Sequence, residues 1–178
     1  VPLRAALYKV LPLGSPNTEA AWQEALKPIR NADRQRTLYL DHQQRMLLLS
    51  KATSEIEPLL RSLCYLPLRV GTIAKLLVMD FDPRTAELII GKDKNGQSRK
   101  IVIPKTTADF FNYHCSTKEP TDLIFCKKNG RMWNKETWKK PIKEAVYAAN
   151  LPPHTTAYTL RHSTITDLVT SGLPILTI

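Results

Sequence analysis

Three cations occupy positions at which they could act on an anionic group: Arg69, Lys94 and Arg161. Arg69 precedes an apolar helical stretch, and Lys94 stands directly before the turn-forming pair Asn95-Gly96. Arg161 is predicted to lie in the first turn of the last helix, where free backbone N–H groups favour an anion. A cation is disfavoured in that turn unless an anion joins it, so the position of Arg161 indicates a bound phosphate.

Arg69 and Lys94 also have ordinary structural explanations. Arg69 could pair with a carboxylate at the edge of the core, and Lys94 could be a solvated turn residue. Tyr158, in the same segment as Arg161, could hydrogen-bond a phosphate oxygen. It is a poor base near neutral pH, because the pKa of a phenol is about 10. The combination, rather than any one residue, therefore indicates a site.

The charge of the chain favours a polyanionic partner. Its 26 Lys and Arg residues against 16 Asp and Glu residues give a net charge of +10. Such an excess fits nucleic acid or an anionic membrane surface, although a merely basic protein would also show it. We expect no membrane partner, because no apolar run is long enough to span a bilayer and the cations are not clustered on one amphipathic helix.

The cysteines argue against a metal or redox centre. Cys64, Cys115 and Cys126 form no CxxC pair, and their spacing fits no zinc site. We expect reduced thiols in a cytoplasmic protein, with no metal and no cofactor.

The elements that must position the cations follow from periodicity and turn signals. Asp41 and Gln44 predict a capping box at the start of the first helix. The remaining helices are predicted at residues 55–66, around 70–77, and at 106–114, 134–149 and 160–172, and Asn134 is predicted to cap the fourth of them. A turn at 82–85, strands at 87–90 and 99–103, and a short strand at 123–125 complete the pattern. We therefore predict an α+β fold, mainly α, with a small three-stranded antiparallel sheet between two groups of helices.

The chain divides by composition into two parts. Residues 1–36 are predicted to be an N-terminal arm and linker, the tail of a preceding domain, and residues 37–178 a compact domain. Arg34 and Arg36 end the linker, either as a solvated hinge or as a strap along phosphates. Val1 is no initiator methionine and Ile178 ends an apolar segment, so we expect a piece of a longer polypeptide.

Three motifs in fixed order carry a family resemblance. They are Arg69-Val70-Gly71, the predicted hairpin Lys94-Asn95-Gly96-Gln97-Ser98-Arg99, and Tyr158-Thr159-Leu160-Arg161-His162. The first resembles the first arginine motif of the tyrosine recombinases, also called the phage integrase family. The hairpin is similar to the one that carries that family's catalytic lysine, and the third motif is similar to its His-x-Leu-Arg-His motif. The resemblance extends from about Arg34 to the end.

The resemblance implies a role for each residue. Arg69 and Arg161 would hold the scissile phosphate, Lys94 would protonate the leaving 5′-hydroxyl, and Tyr158 would support them. A tyrosine would form a covalent 3′-phosphotyrosine without any cofactor. Further DNA contacts are expected at these residues: Arg34, Arg36, Arg99 and His162. The implied partner is double-stranded DNA carrying a specific recombination site, bound by a homo-oligomer, a tetramer. The protein would be cytoplasmic, in a bacterium or encoded by a phage.

The sequence departs from the family pattern at three places. Thr72 stands where the family usually has Glu or Asp, and Tyr158 stands where it usually has His. The third departure is that the family's third-motif His or Trp and its nucleophilic Tyr are expected beyond Ile178. As given, the chain is expected to bind DNA without cleaving it.

Three alternatives to a site-specific recombinase remain open. The first is a catalytically decayed DNA-binding protein derived from an integrase. The second is an enzyme similar to the type IB topoisomerases. The third is a purely structural role for Arg69 and Arg161 in ordinary ion pairs.

Overall fold

The computed structural model describes residues 38–92 and 98–172. Arg34, Arg36 and the rest of the predicted arm lie outside these ranges, as does the hairpin tip with Lys94. The compact unit to which the described residues belong begins at Leu38. The division of the chain into an arm and a catalytic domain stays a prediction.

The first two helices begin and end close to the predicted positions. Helix α1 (His42–Lys51) has Asp41 as its N-cap, whose carboxylate accepts from the backbone N–H of Gln44 at 2.8 Å. The Gln44 side chain accepts in turn from the N–H of Asp41 at 3.0 Å, which completes the capping box. Helix α2 (Glu57–Tyr65) ends before Pro67, because the ring restricts the residue before it to extended conformations.

A short helix and a small sheet occupy the middle of the chain. Helix α3 (Val70–Ile73) is shorter than predicted. Strands β1 (Phe81–Asp82), β2 (Glu87–Lys92) and β3 (Ser98–Val102) pair antiparallel in the order β1-β2-β3. The predicted three-stranded meander is therefore confirmed.

The last three helices follow the sheet. They are α4 (Lys105–Cys115), α5 (Lys135–Ala148) and α6 (Ala157–Thr170). Asn134 is the N-cap of α5, and its Oδ1 accepts from the N–H groups of Glu136 and Thr137, both at 3.0 Å. Asn150 ends α5 with φ of 50°, the left-handed conformation that asparagine adopts more readily than most residues.

Two predictions about local structure were wrong. Helix α6 begins at Ala157, not at Leu160. The side chain of Thr159 accepts from the backbone N–H of Thr156 at 3.0 Å. This hydrogen bond closes the first turn of the helix three residues before the start that the apolar pattern indicated. The segment 123–125 forms no strand, because only Leu123 pairs, in a single bridge to Leu77.

The core lies between the two groups of helices and the sheet. Helix α2 packs against α6 and α3, and α1 packs against α5. The fully buried side chains come from all of these layers: Leu48, Leu59, Leu60, Leu63, Ile73, Leu88, Phe111, Ile124 and Leu160. This packing fixes α6 against the end of α2, from which the chain runs directly into α3.

The Asn134 cap gives a test of the fold. Replacing Asn134 with Ala leaves two N–H groups of α5 without their acceptor, so the free energy of unfolding should fall by about 1 kcal/mol. Urea denaturation followed by circular dichroism measures the change. Asn134→Asp should recover most of the loss, and Asn112→Ala, at an exposed position within α4, should cost little. Equal losses at both asparagines would contradict the capping account.

Candidate active site

Arg69 is held by its backbone and points its charge outward. It is the N-cap of α3, with an extended backbone, and its carbonyl accepts from the N–H groups of Thr72 and Ile73 at 2.9 and 3.1 Å. Its neighbour Val70 is buried, as is Leu66, whereas Arg69 itself is exposed. Buried neighbours on both sides thus fix where an exposed guanidinium emerges.

Arg161 is held by its side chain. It lies half-buried on α6, and its Nη1 donates to the carbonyl oxygen of Pro67, 94 residues away in sequence. Thr164, one turn further along α6, donates to the carbonyl oxygen of Leu63 at 2.9 Å. Because Pro67 is only two residues before Arg69, one hydrogen bond joins the segments that carry the two arginines.

The two guanidinium groups interact electrostatically. Burial lowers the pKa of Arg161, and the nearby charge of Arg69 lowers it further, whereas Tyr158 acts in the opposite direction. Arg69, Arg161 and Tyr158 are therefore neighbours in space. Two like charges held together destabilise each other, and an anion bound between them would attract both and so outweigh their repulsion.

Tyr158 lies at the second position of α6, three residues before Arg161 on the same side of the helix. Its side chain is 44% exposed. Tyr158 is therefore partly accessible to solvent on the side of α6 that carries Arg161.

The other predicted site residues are less informative. His162 is exposed on α6, and Arg99 is exposed on β3, opposite Ile90 of β2. Lys94, Arg34 and Arg36 lie outside the described residues. Of the four residues predicted to be catalytic, the structure thus brings three together, and the DNA contacts stay predictions.

The helix-terminus argument for Arg161 was wrong. Because α6 begins at Ala157, Arg161 lies in its second turn, beyond the free N–H groups of the helix start. The case for an anion at Arg161 depends instead on its proximity to Arg69 and on its bond to Pro67.

The sequence matches a known family over most of its length. A model of the phage integrase family matches residues 37–178. The chain belongs to this family. No curated protein matches it.

Solved structures of tyrosine recombinases share its fold. XerA recombinase is similar with a TM-score of 0.63 and 19% identity, over 88% of this chain and 60% of that one. The Tn1549 transposon integrase, with a TM-score of 0.66 and 17% identity, is similar over 88% of this chain and 64% of that one. The catalytic domain of bacteriophage HP1 integrase is similar with a TM-score of 0.56 and 17% identity, over 78% of this chain and 76% of that one. The chain thus spans less than two thirds of the length of the first two.

A second group of cations was missed from the sequence. Residues 126–132 form a tight hairpin, closed by the Cys126–Met132 bridge and by Gly130 with φ of 74°. It carries Lys127, Lys128 and Arg131, none of which has an ion-pair partner within the described ranges. The signal was present, because Asn129-Gly130 is the same turn-forming pair as at the predicted Lys94 hairpin.

This hairpin, which we call the basic hairpin (residues 126–132), is braced by an acid. Glu55 Oε1 accepts from the backbone N–H of Lys128 at 2.7 Å. The carboxylate therefore orders the turn through its backbone instead of pairing with a lysine side chain. Helix α5 begins just after the hairpin and adds further lysines: Lys135, Lys139, Lys140 and Lys143.

Other chemistries find little support in the part of the chain that the structure describes. No three His, Cys, Asp or Glu residues there are grouped so that they could hold a metal ion. Burial raises the pKa of the Cys64 thiol to about 12, so this cysteine is not a nucleophile near neutral pH. None of the described helices is both long and apolar enough to cross a membrane.

The repulsion between the two arginines predicts an unusual effect on stability. Arg69→Gln should raise the free energy of unfolding at low ionic strength, because it removes the like charge beside Arg161. The gain should shrink as salt is added, since salt screens charges near the surface. Urea denaturation at two salt concentrations measures both effects. Arg99→Gln, on the exposed strand β3, is the matched control, and an equal gain there would indicate only a lower net charge.

Proposed function

We propose that this chain is the DNA-handling part of a site-specific recombinase that cleaves and rejoins duplex DNA. The single observation that carries the proposal is the meeting of Arg69 and Arg161, with Tyr158 beside them, from segments far apart in sequence. Two guanidinium groups with no acid between them in the described residues suit a phosphate diester. Family membership supports the same reaction.

In this proposal the two arginines bind the non-bridging oxygens of the scissile phosphate. Guanidinium groups form paired hydrogen bonds with phosphate, and their charge stabilises the extra negative charge of the pentacoordinate transition state. The Pro67 carbonyl orients Arg161, since it occupies one of that side chain's donors and leaves the others for the phosphate. The hydroxyl of Tyr158 donates a further hydrogen bond to a phosphate oxygen.

The strand-cleavage step is a transfer between two oxygens. A tyrosine hydroxyl gives up its proton to solvent, and its oxygen bonds to phosphorus as the bond between phosphorus and the 5′-oxygen breaks. Lys94 gives the departing 5′-oxygen its proton. The product is a 3′-phosphotyrosine, and the reverse reaction rejoins the strand. We assign the attack to a tyrosine of the full-length parent that follows Ile178, and we therefore expect these 178 residues to bind DNA without a covalent link.

The cations outside the site supply the surface for the duplex. The basic hairpin and α5 place seven lysines and arginines within 17 residues, from Lys127 to Lys143, and all but Lys139 and Lys140 lack an ion-pair partner in the described residues. Such a group neutralises backbone phosphates without reading sequence. Solved relatives support a DNA partner: Tn1549 integrase is known in complex with transposon right end DNA, and XerH recombinase bound to difH substrate. We propose Arg34, Arg36, Arg99 and His162 as additional contacts.

The assembly and location follow from the same proposal. Recombination joins two duplexes, so four cleaving subunits are needed if each cuts one strand, and we propose a homotetramer on DNA. The protein would act in the cytoplasm of a bacterium, where its substrate lies. A second candidate is a decayed integrase that only binds DNA, which the replacements at Thr72 and Tyr158 favour.

The first test of the proposal is DNA binding by this chain. Affinity for duplex DNA should fall steeply with added salt, because each neutralised phosphate releases counterions. Arg161→Ala should weaken binding by about tenfold, the usual effect of losing a hydrogen bond to a charged group. Fluorescence anisotropy with a labelled duplex measures both. Arg84→Ala should have little effect, because Arg84 is already paired with Asp82; salt-independent binding would contradict the phosphate contacts.

The second test separates recombinase from binding protein. With a nicked duplex, the full-length parent, expected to extend beyond Ile178, should form a covalent adduct that survives denaturing electrophoresis. Tyr158→Phe should slow its formation but leave the adduct intact, whereas Arg161→Ala should reduce it by at least about a hundredfold. Loss of the adduct in Tyr158→Phe would identify Tyr158 as the nucleophile. No adduct with the wild type would favour the decayed integrase.

A further inference from the structure

Both carboxylate oxygens of Asp167 are occupied by residues at the start of the compact unit. Oδ1 accepts from the hydroxyl of Tyr39 at 2.7 Å, and Oδ2 accepts from Nη2 of Arg45. Asp167 lies on α6, six residues after Arg161, whereas Tyr39 and Arg45 lie more than 120 residues earlier. A single carboxylate thus ties the chain that enters the unit to the helix that carries Arg161.

A second hydrogen bond repeats this tie one turn away. The N–H of Leu40, which is fully buried, donates to Oγ of Ser163 at 2.9 Å. Ser163 in turn donates to the carbonyl oxygen of Thr159 at 2.9 Å, so its orientation is fixed. Ser163 and Asp167 are four residues apart on one side of α6. The entering segment Tyr39–Arg45 therefore contacts α6 over two turns.

Another side of α6 is tied to the other arginine segment. Arg161 and Thr164, three residues apart, donate to carbonyl oxygens of Pro67 and Leu63. Successive residues of a helix differ by about 100° in direction, so this side lies about 110° from the side that contacts the entering segment. Helix α6 is thus held on two of its sides, by the entering segment and by the loop that leads to Arg69.

The burial of Arg45 indicates that its ion pair with Asp167 positions α6 more than it improves the packing of the core. Arg45 shares the buried face of α1 with Leu48 and Leu49, and only 7% of its side chain is exposed. An apolar residue would fill such a position, and replacing a buried ion pair with apolar residues is often neutral or stabilising. What an apolar residue could not do is bind a carboxylate on α6.

We propose that Asp167 is a positioning residue, which through Tyr39 and Arg45 holds α6 against the entering segment and so keeps Arg161 in place to grip phosphate. We call the three side chains the latch. The inference rests on the proposed function, because the role of the latch is to hold Arg161 where it can bind a phosphate.

The test is a double-mutant cycle on this chain, measured as affinity for a duplex by fluorescence anisotropy. Asp167→Asn should weaken binding at least about threefold relative to Asp109→Asn, which removes the same charge from exposed α4. In the Arg161→Ala background the two variants should bind equally. Equal weakening in both backgrounds would mean that Asp167 does not act through Arg161, and would overturn the proposal.

A milder variant covers the case in which Asp167→Asn fails to fold. Tyr39→Phe removes one hydrogen bond from the exposed side of the latch and leaves the Arg45 ion pair intact. It should lower affinity only when Arg161 is present, while Tyr113→Phe, at an exposed position on α4, should not. An effect of Tyr39→Phe that persists without Arg161 contradicts the latch.

The NMR signal of the Arg161 Nε–H group separates the latch from the proposed function, because it needs no DNA. This signal should shift in Asp167→Asn and in Tyr39→Phe, and stay in place in Asp109→Asn. If the wild-type chain does not bind DNA, the proposed function fails, and the signal alone decides whether the latch positions Arg161. An unmoved signal in both latch variants overturns the proposal whatever the DNA result.

Discussion

The hydrogen bond from Arg161 to the Pro67 carbonyl is the interaction on which the arrangement of the site depends. It brings a half-buried guanidinium to within electrostatic range of Arg69, which like charges would otherwise avoid. A carbonyl oxygen accepts from one donor of Arg161 and leaves its positive charge unneutralised. A carboxylate in the same place would neutralise that charge. The site therefore keeps both charges, and an anion bound there would relieve their repulsion.

The rest of the fold positions the two partners of that hydrogen bond. Pro67 is fixed because α2 ends just before it and α3 begins just after it, both with buried apolar faces. Arg161 is fixed because Leu160, its neighbour on α6, is fully buried against the same core. Packing of α2 against α6 thus stabilises the site more than any local propensity does, since tertiary contacts supply most of the stability of helices in proteins.

Features set by a few neighbouring residues could be predicted from the sequence. The capping box at Asp41, the cap at Asn134 and the three-stranded sheet were all predicted, because each depends on local side-chain chemistry or alternation. The start of α6 was not, because a threonine hydroxyl closed its first turn where the apolar pattern gave no signal. The same error misplaced Arg161 relative to the free N–H groups, although its nearness to Arg69 was predicted from the family motifs.

Contacts between distant residues could not be predicted from local patterns, and the Asp167 latch is the clearest case. Arg45 lies on the apolar face of α1, and no residue near it in sequence indicates that its acidic partner is Asp167, 122 residues later. A buried arginine is nevertheless a signal, because burying its charge is costly unless an anion meets it. Arg45 and Arg161 then differ in one respect. Arg45 has its anion within the fold, whereas Arg161 has a carbonyl and a second cation, and the proposal that Arg161 binds an anionic ligand rests on this difference.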